Sequence, residues 1–201
     1  MATALRALGI GHRDRVLTNA FTLAPVPGAI AAVGADPVFV DVTENLTIDL
    51  NDLRAKADQA DVLMLSHMRG HLCDMDALLA ICAEHGIKVI EDCAHTMGAK
   101  WKGRSSGCDG VIGCYSTQTY KHMNSGEGGL FVTDDPEIAA RAVMLSGSYM
   151  LYGKHPAAPD PAQFETIRYE MPNVSGRMDH LRAAILRPQL KTLDQQIERW
   201  N

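Results

Sequence analysis

No stretch of the sequence is rich in lysine and arginine, no two cysteines are spaced CxxC, no apolar run approaches bilayer length, and nothing repeats. Each absence removes a class of function. Nineteen Lys+Arg stand against 24 Asp+Glu, interspersed for a formal net charge of −5, so nothing tracks a phosphate backbone and no nucleic-acid partner is expected. The apolar runs fall far short of the roughly 20 residues of a membrane-spanning helix, so no membrane segment is expected. The five cysteines (Cys73, Cys82, Cys93, Cys108, Cys114) are odd in number, and Met1 opens into a helical pattern without a charged, apolar, small-residue export signal. That points to a reducing, cytoplasmic setting. GxxxxGK[ST] and GxGxxG are missing too, which leaves the two common glycine-rich nucleotide loops unsupported. What is present is bulk: 201 residues, 46% hydrophobic, suffice for about one domain with a real core.

Strand-like and helix-like segments alternate at short intervals. Residues 2–9 carry apolar side chains at helical spacing and stop at Gly9-Ile10-Gly11; 15–21 read as a strand, 27–34 as a helix opened by proline, and 37–42 as a second strand. A helix at 50–57, a strand at 62–67, a helix at 74–85 with Asp74 as N-cap and Gly86 as stop, and a strand at 88–94 follow. Apolar runs at 110–115 and 129–132 and a helix at 136–145 continue the rhythm. This order predicts an α/β fold of three layers, α/β/α, with a mostly parallel sheet. Residues 148–172, with Pro156, Pro159, Pro161 and Pro172, read as a long functional or interface loop, and 179 onwards as one helix kinked at Pro188.

Open α/β sheets bind ligands beyond the carboxyl ends of their strands. Glu91-Asp92-Cys93-Ala94-His95 closes one predicted strand; Ser116 to Lys121 closes another, with Gly126-Glu127-Gly128-Gly129 just behind it. An acid at a strand end by itself caps a turn as readily as it binds a ligand. The glycines, however, allow a close backbone approach beside Lys121. A lysine amine forms a Schiff base with an aldehyde cofactor, while a carboxylate keeps a pyridine nitrogen protonated so that the ring acts as an electron sink. Asp92 and, about thirty residues later, Lys121 have a spacing compatible with pyridoxal phosphate. His67 and His71 have HxxxH spacing but fall on a strand and a loop with no third ligand in view, so no metal is expected.

The run VIEDCAHTMGAKWKGRSSGCDGVIGCYSTQTYKHMNSGEGGLFVTDDPEIAARAVML at 89–145 resembles the core of the DegT/DnrJ/StrS family of sugar aminotransferases, fold type I enzymes that use pyridoxal 5'-phosphate. Its ED-x-A-[HQ] and K-x-x-x-x-GEGG pair is the specific part. ALRALGIGHRDRVLTNAFTLAPVPGAIAAVGADPVFVDV upstream and NVSGRMDHLRAAILRPQLKTLD downstream also fit the family. The resemblance implies amino transfer from glutamate or glutamine to a keto group of a nucleotide-linked sugar, by a cytoplasmic homodimer. It makes Lys121 the Schiff-base lysine and proton carrier, and Asp92 the partner of the pyridinium nitrogen. His95 would pack on the cofactor, Ser116 would donate to its phosphate, and Asn173 would reach the phosphate of the neighbouring subunit. Glu127 would have a structural role in the glycine turn.

Some positions depart from the family pattern. Leu23 falls where many members place an aromatic residue or histidine on the ring, and Tyr120 precedes the lysine where a smaller residue is usual. The family's Ser-Gly-Thr phosphate turn is reduced to Met1-Ala2-Thr3, and members continue past the final helix into a small domain. The implied organisation is a truncated cofactor-binding large domain over 1–178 and, over 179–201, a helix leading towards an absent small domain. Because a helix N-terminus normally binds the phosphate, weakened cofactor affinity is expected. Two alternatives accompany this reading. One is an impaired or inactive fragment that at most binds cofactor or pairs with a full-length relative; the other is a cofactor-dependent sugar dehydratase, a branch in which the lysine is commonly a histidine and against which Lys121 argues.

Overall fold

Alternating and continuous apolar runs build the sheet seen in the structure, a computed structural model that describes residues 1–200, with the side chains of Tyr149, Met150 and Trp200, and all of Asn201, outside that description. The strands are β1 (Arg15–Asn19), β2 (Asp36–Val40), β3 (Val62–Ser66), β4 (Lys88–Asp92), the short hairpin β5 (Lys100–Trp101) and β6 (Arg104–Ser105), then β7 (Ile112–Ser116) and β8 (Gly129–Val132). Six of them form one sheet in the order β2-β1-β3-β4-β7-β8, parallel throughout except for the antiparallel pair β7–β8. All five residues of β3 are buried, as a parallel strand covered on both faces must be.

Successive side chains along a strand point to opposite faces, and here the two faces meet different helices. Val62, Met64 and Ile90 pack with α1 (Ala2–Ala7), α2 (Pro25–Ala32) and α5 (Pro136–Ser146). Leu63, Leu65 and Val89 pack with α3 (Leu50–Lys56) and α4 (Met75–Glu84). This is the expected three-layer α/β/α fold. Helix starts follow local chemistry: Asp49, Asp74, Asp135 and Asp179 each accept hydrogen bonds from first-turn amides that no helical carbonyl can reach.

Two segments differ from the sequence expectation. Within 148–172, Phe164–Glu170 form α6, whose Phe164 and Ile167 are buried against Ala140 and Val143 of α5. The prolines around it mask an apolar pair one helical turn apart, which is enough to dock a short helix. The terminal segment divides into α7 (His180–Leu190) and α8 (Leu193–Trp200); α7 runs through Pro188, and the break comes at 191–192.

These last helices pack on the loop between β7 and β8. Leu186 joins Met97 and Met123 in a small buried cluster. Gln189 grips the backbone of Asn124 in both directions, donating from Nε2 to its carbonyl at 2.7 Å and accepting its N–H at Oε1 at 2.9 Å. Gln189→Ala should therefore loosen the loop that carries Lys121, lowering stability by about 1–3 kcal/mol for two half-buried hydrogen bonds. An unchanged urea midpoint would show that the clamp contributes nothing.

Candidate active site

The carboxyl ends of β1, β3, β4 and β7 carry Asn19, Ser66, Asp92 and Ser116, all at one edge of the sheet. Asn19, only 1% exposed, accepts the Ser66 N–H at 2.8 Å and donates to the Ser66 carbonyl at 3.1 Å. Held in this way, Ser66 donates its hydroxyl to Oδ2 of Asp92 at 3.1 Å, and the Ala94 N–H donates to Oδ1 at 3.2 Å. Three neighbouring strands thus orient one carboxylate. Ser66→Ala removes a donor while leaving Asp92 in place; its signature should be a roughly tenfold fall in the rate of any reaction that depends on Asp92, the scale of one hydrogen bond to a charged group. An unchanged rate would dismiss the relay.

Lys121 sits in the β7–β8 connection, which doubles back on itself. The Thr117 N–H donates to the Gly128 carbonyl at 3.0 Å, Ser125 N–H to Thr117 at 2.9 Å, and Thr119 N–H to Gly126 at 3.0 Å. At Gly128, with φ +136°, a Cβ would lie 2.7 Å from Thr117 Oγ1, so the fold-back needs glycine. Ser116 Oγ accepts the Gln118 N–H at 3.2 Å, and the Lys121 N–H closes onto the Gln118 carbonyl at 2.9 Å. Burial pushes the basicity of the Lys121 amine down; the Asp92 carboxylate opposes that shift and Arg69 adds to it. The amine and the carboxylate are near enough for each to feel the other's charge.

His95 lies there too. Burial, then the Lys121 charge, hold its imidazole below the usual histidine range. The Arg69 N–H donates to Nδ1 at 3.2 Å, so the ring proton of the neutral form resides on Nε2.

Glu91 faces away from Asp92, towards the α3/α4 side, and is 0% exposed. Its carboxylate accepts from His67 Nε2 at 2.9 Å and from the backbone N–H groups of Gly107 at 2.9 Å, Asp109 at 2.9 Å and Gly110 at 2.7 Å. Burial pushes this carboxyl up, but the His67 and backbone hydrogen bonds outweigh it and hold the carboxyl below the usual range. His67, Glu91 and Cys93 place their ligand-type atoms within 4.8 Å of one another. Four donors already sit on the Glu91 carboxylate, which with His67 ties the 107–110 loop to the sheet, while burial pushes the neighbouring Cys93 thiol well up.

Of the residues singled out from the sequence, Asp92, His95 and Lys121 come together, and Ser116 forms the base of the Lys121 turn. Asn173 stands elsewhere: its Oδ1 accepts the Ser175 N–H at 2.8 Å, and the side chain lies with Arg177 against Gly147, past the end of α5. A groove of about 720 Å³ beside β8, lined by Met1, Thr3, Phe131, Gly176 and Arg177, contains none of the Lys121 cluster. Sequence reasoning missed Asn19, Ser66 and Arg69. Ser66 was open to discovery as a polar strand end in register with Asp92; Arg69 follows a strand end with no motif to mark it.

The sequence profile of the DegT/DnrJ/EryC1/StrS aminotransferase family matches residues 1–201. The chain belongs to that family. Among curated members, L-glutamine:scyllo-inosose aminotransferase of Streptomyces griseus is 33% identical over 199 residues, 98% of this chain and 46% of that protein. The dTDP-3-amino-3,4,6-trideoxy-alpha-D-glucose transaminase of Streptomyces venezuelae is 34% identical over 201 residues, 98% of this chain and 48% of that protein. Among solved structures, S. venezuelae DesV in complex with a ketimine intermediate matches with a TM-score of 0.80 at 32% identity, covering 96% of this chain and 50% of that one. The chain thus spans about half the length of these family members. The shared architecture is that of fold type I aminotransferases, and the family's enzymes are dependent on pyridoxal phosphate. No helix among the described residues is long and apolar enough to cross a membrane.

Proposed function

We propose that this chain carries the cofactor half of a pyridoxal phosphate-dependent aminotransferase that aminates a keto sugar. The observation that supports it most is a lysine of lowered basicity that feels the charge of a carboxylate fixed by Ser66 and Ala94. These residues fit the cofactor chemically. Lys121 offers a nucleophilic amine, Asp92 is an acceptor whose two oxygens take one hydrogen bond each from Ser66 and Ala94, and His95 offers a neutral ring.

Pyridoxal phosphate, when bound, supplies an aldehyde for amines and a ring that withdraws electrons from the carbon beside the captured nitrogen. Lys121 Nζ would hold the aldehyde carbon and, once the donor amine displaces it, move a proton between carbons. Its lowered basicity increases the unprotonated fraction at neutral pH, which both tasks need. Asp92 would retain the proton on the ring nitrogen, His95 would pack on the ring, and Ser116 would donate to the phosphate. Asn173, remote from Lys121 on its own subunit, would serve the neighbouring subunit's phosphate in a homodimer. Residues 1–178 form the proposed cofactor-binding unit. Five free cysteines are in keeping with a cytoplasmic setting.

The names of the relatives support the donor and acceptor classes. Glutamine is named as donor for the Streptomyces griseus protein and a dTDP-linked sugar for the Streptomyces venezuelae one. We therefore propose glutamine or glutamate as donor and a nucleotide-linked keto sugar as acceptor. A keto substrate of the scyllo-inosose type is the second reading, favoured by the former name.

The test is covalent capture. Incubation with pyridoxal phosphate followed by borohydride reduction should leave the cofactor on Lys121, located by mass spectrometry, and Lys121→Ala should show none. Failure to label the wild-type chain overturns the proposal. The pH dependence has a definite sign. Because Lys121 titrates below its ordinary value of 10.5, capture should rise through a pH range lower than that of a surface lysine. Asp92→Asn, which removes the opposing charge, should move that range lower still.

A further inference from the structure

Arg69 is not used by the proposed chemistry, yet it is built into the site. It lies between β3 and α4 with φ 57° and ψ 17°, a left-handed conformation that bulky side chains rarely hold and that collects at functional sites. The turn around it is closed by the Gly70 N–H to the His67 carbonyl at 3.1 Å and the His71 N–H to the Met68 carbonyl at 3.2 Å. This geometry aims the Arg69 N–H at His95 Nδ1, 3.2 Å away. The side chain is exposed, and its charge is felt by both His95 and Lys121. Among the described residues Arg69, like Arg6, Arg13, Arg15, Arg177 and Arg187, has no carboxylate partner, whereas Arg54, Arg104, Arg141, Arg168 and Arg182 do. Arg69 is tied to His95 through its backbone N–H, and the only carboxylate felt by both His95 and Lys121 is Asp92, so two cations, Arg69 and Lys121, stand against one acid there.

We infer that Arg69 is the subsite for the α-carboxylate of the amino donor. A guanidinium presents a planar fork that matches a carboxylate with two parallel hydrogen bonds. In an α-amino acid the carboxylate sits one carbon from the amine that must arrive beside Lys121, so a cation whose charge Lys121 feels meets it. The diphosphate of a nucleotide-linked acceptor is also an oxyanion, but a whole sugar ring separates it from the reacting carbon. Arg69 thus orients the donor, and its backbone N–H keeps His95 in the tautomer described above. This assignment deepens the proposed function and rests on it.

The test follows the Arg69 Nε–H and His95 ring resonances by NMR in the cofactor-free chain. The titrants are L-glutamine, γ-aminobutyramide (the same amine without its α-carboxylate) and uridine diphosphate. L-glutamine should move both sets of resonances, and γ-aminobutyramide should bind about ten- to a hundredfold more weakly. Arg69→Asn tolerates the left-handed backbone, keeps the N–H to His95, and should erase the discrimination; Arg69→Lys should restore part of it. Absence of a response to L-glutamine, equal binding of the two amines, or undiminished discrimination in Arg69→Asn overturns the assignment. A tighter response to uridine diphosphate than to L-glutamine gives the subsite to a phosphate and overturns it equally. None of these readouts needs the cofactor. A chain that discriminates glutamine at Arg69 but takes up no pyridoxal phosphate on Lys121 refutes the proposed function and leaves Arg69 only as a binding group for an α-amino acid carboxylate.

Discussion

Glu91→Ala should destabilise the fold by about 3–5 kcal/mol, the scale of leaving several buried hydrogen-bond donors unsatisfied at once. The substitution leaves His67 Nε2 and the N–H groups of Gly107, Asp109 and Gly110 without the acceptor they share. Their surroundings leave little room for repair: a Cβ at Gly107 would lie 2.7 Å from Tyr115 Oη, and one at Gly110 would lie 2.5 Å from the Val89 carbonyl oxygen. A loss of this size is a large fraction of the roughly 5–15 kcal/mol that holds a domain together, so Glu91→Ala should unfold at a much lower urea concentration or fail to accumulate. Glu91→Gln separates charge from shape. It can still accept, but its amide nitrogen faces N–H donors, and it should lie between wild type and Glu91→Ala. The pH dependence follows from the lowered Glu91 carboxyl. The folded protein releases this proton more readily than the unfolded chain, so the stabilisation is fully present above the ordinary carboxyl value of 4.5. It drains away as pH falls through the lower folded value. A wild-type and Glu91→Gln pair that lose stability identically on acidification would remove Glu91 from the account.

Asp92→Asn should lower the rate of the half-reaction with L-glutamine by about 10²- to 10³-fold, the scale of losing one preorganised electrostatic contact at a reacting centre. The change is nearly isosteric. The carbonyl oxygen of the introduced amide can still accept from Ser66 or from Ala94, so the thermal midpoint should move little. Covalent capture on Lys121 should persist, because the amine is independent of the carboxylate except through its charge. The combination of intact capture, intact fold and slow proton transfer is what separates a partner of the ring nitrogen from a structural carboxylate. Asp92→Asn with full half-reaction rate would leave Asp92 as a turn cap. Glu91 and Asp92 therefore make a matched pair of tests: adjacent acids, one expected to act on stability and the other on rate.

That contrast shows how far the sequence was legible. The element order could be read because apolar periodicity and capping residues act over a few positions, and most strands and helices begin and end within two residues of where the pattern put them. Lys121, Asp92 and His95 could be picked out because each lies at a strand end or in the motif pair. Asn173 was legible as a motif but not as a place, since in a single chain it packs with Arg177 and Gly147, away from Lys121. The α6 helix was hidden because prolines on either side dominate its local signal, while its stability comes from burying Phe164 and Ile167 on α5.

By itself, the sequence determined the three-layer class, because that is written in apolar periodicities of a few residues, and it marked Asp92 and Lys121, about thirty residues apart, through strand ends and the motif pair. Only the tertiary structure decided where each acid points and what it touches. Neighbours on a strand point to opposite faces, so Glu91 meets a loop returning 16 to 19 residues later and becomes a structural anchor. Asp92 meets Ser66 from the adjacent strand and lies near enough to Lys121 to affect its amine. The grip of Asn19 on Ser66 across 47 positions, of Gln189 on Asn124 across 65, and the approach of Arg69 to His95 across 26 are of the same kind. They arise when sheet order and loop return bring distant backbone together, and no local periodicity encodes that.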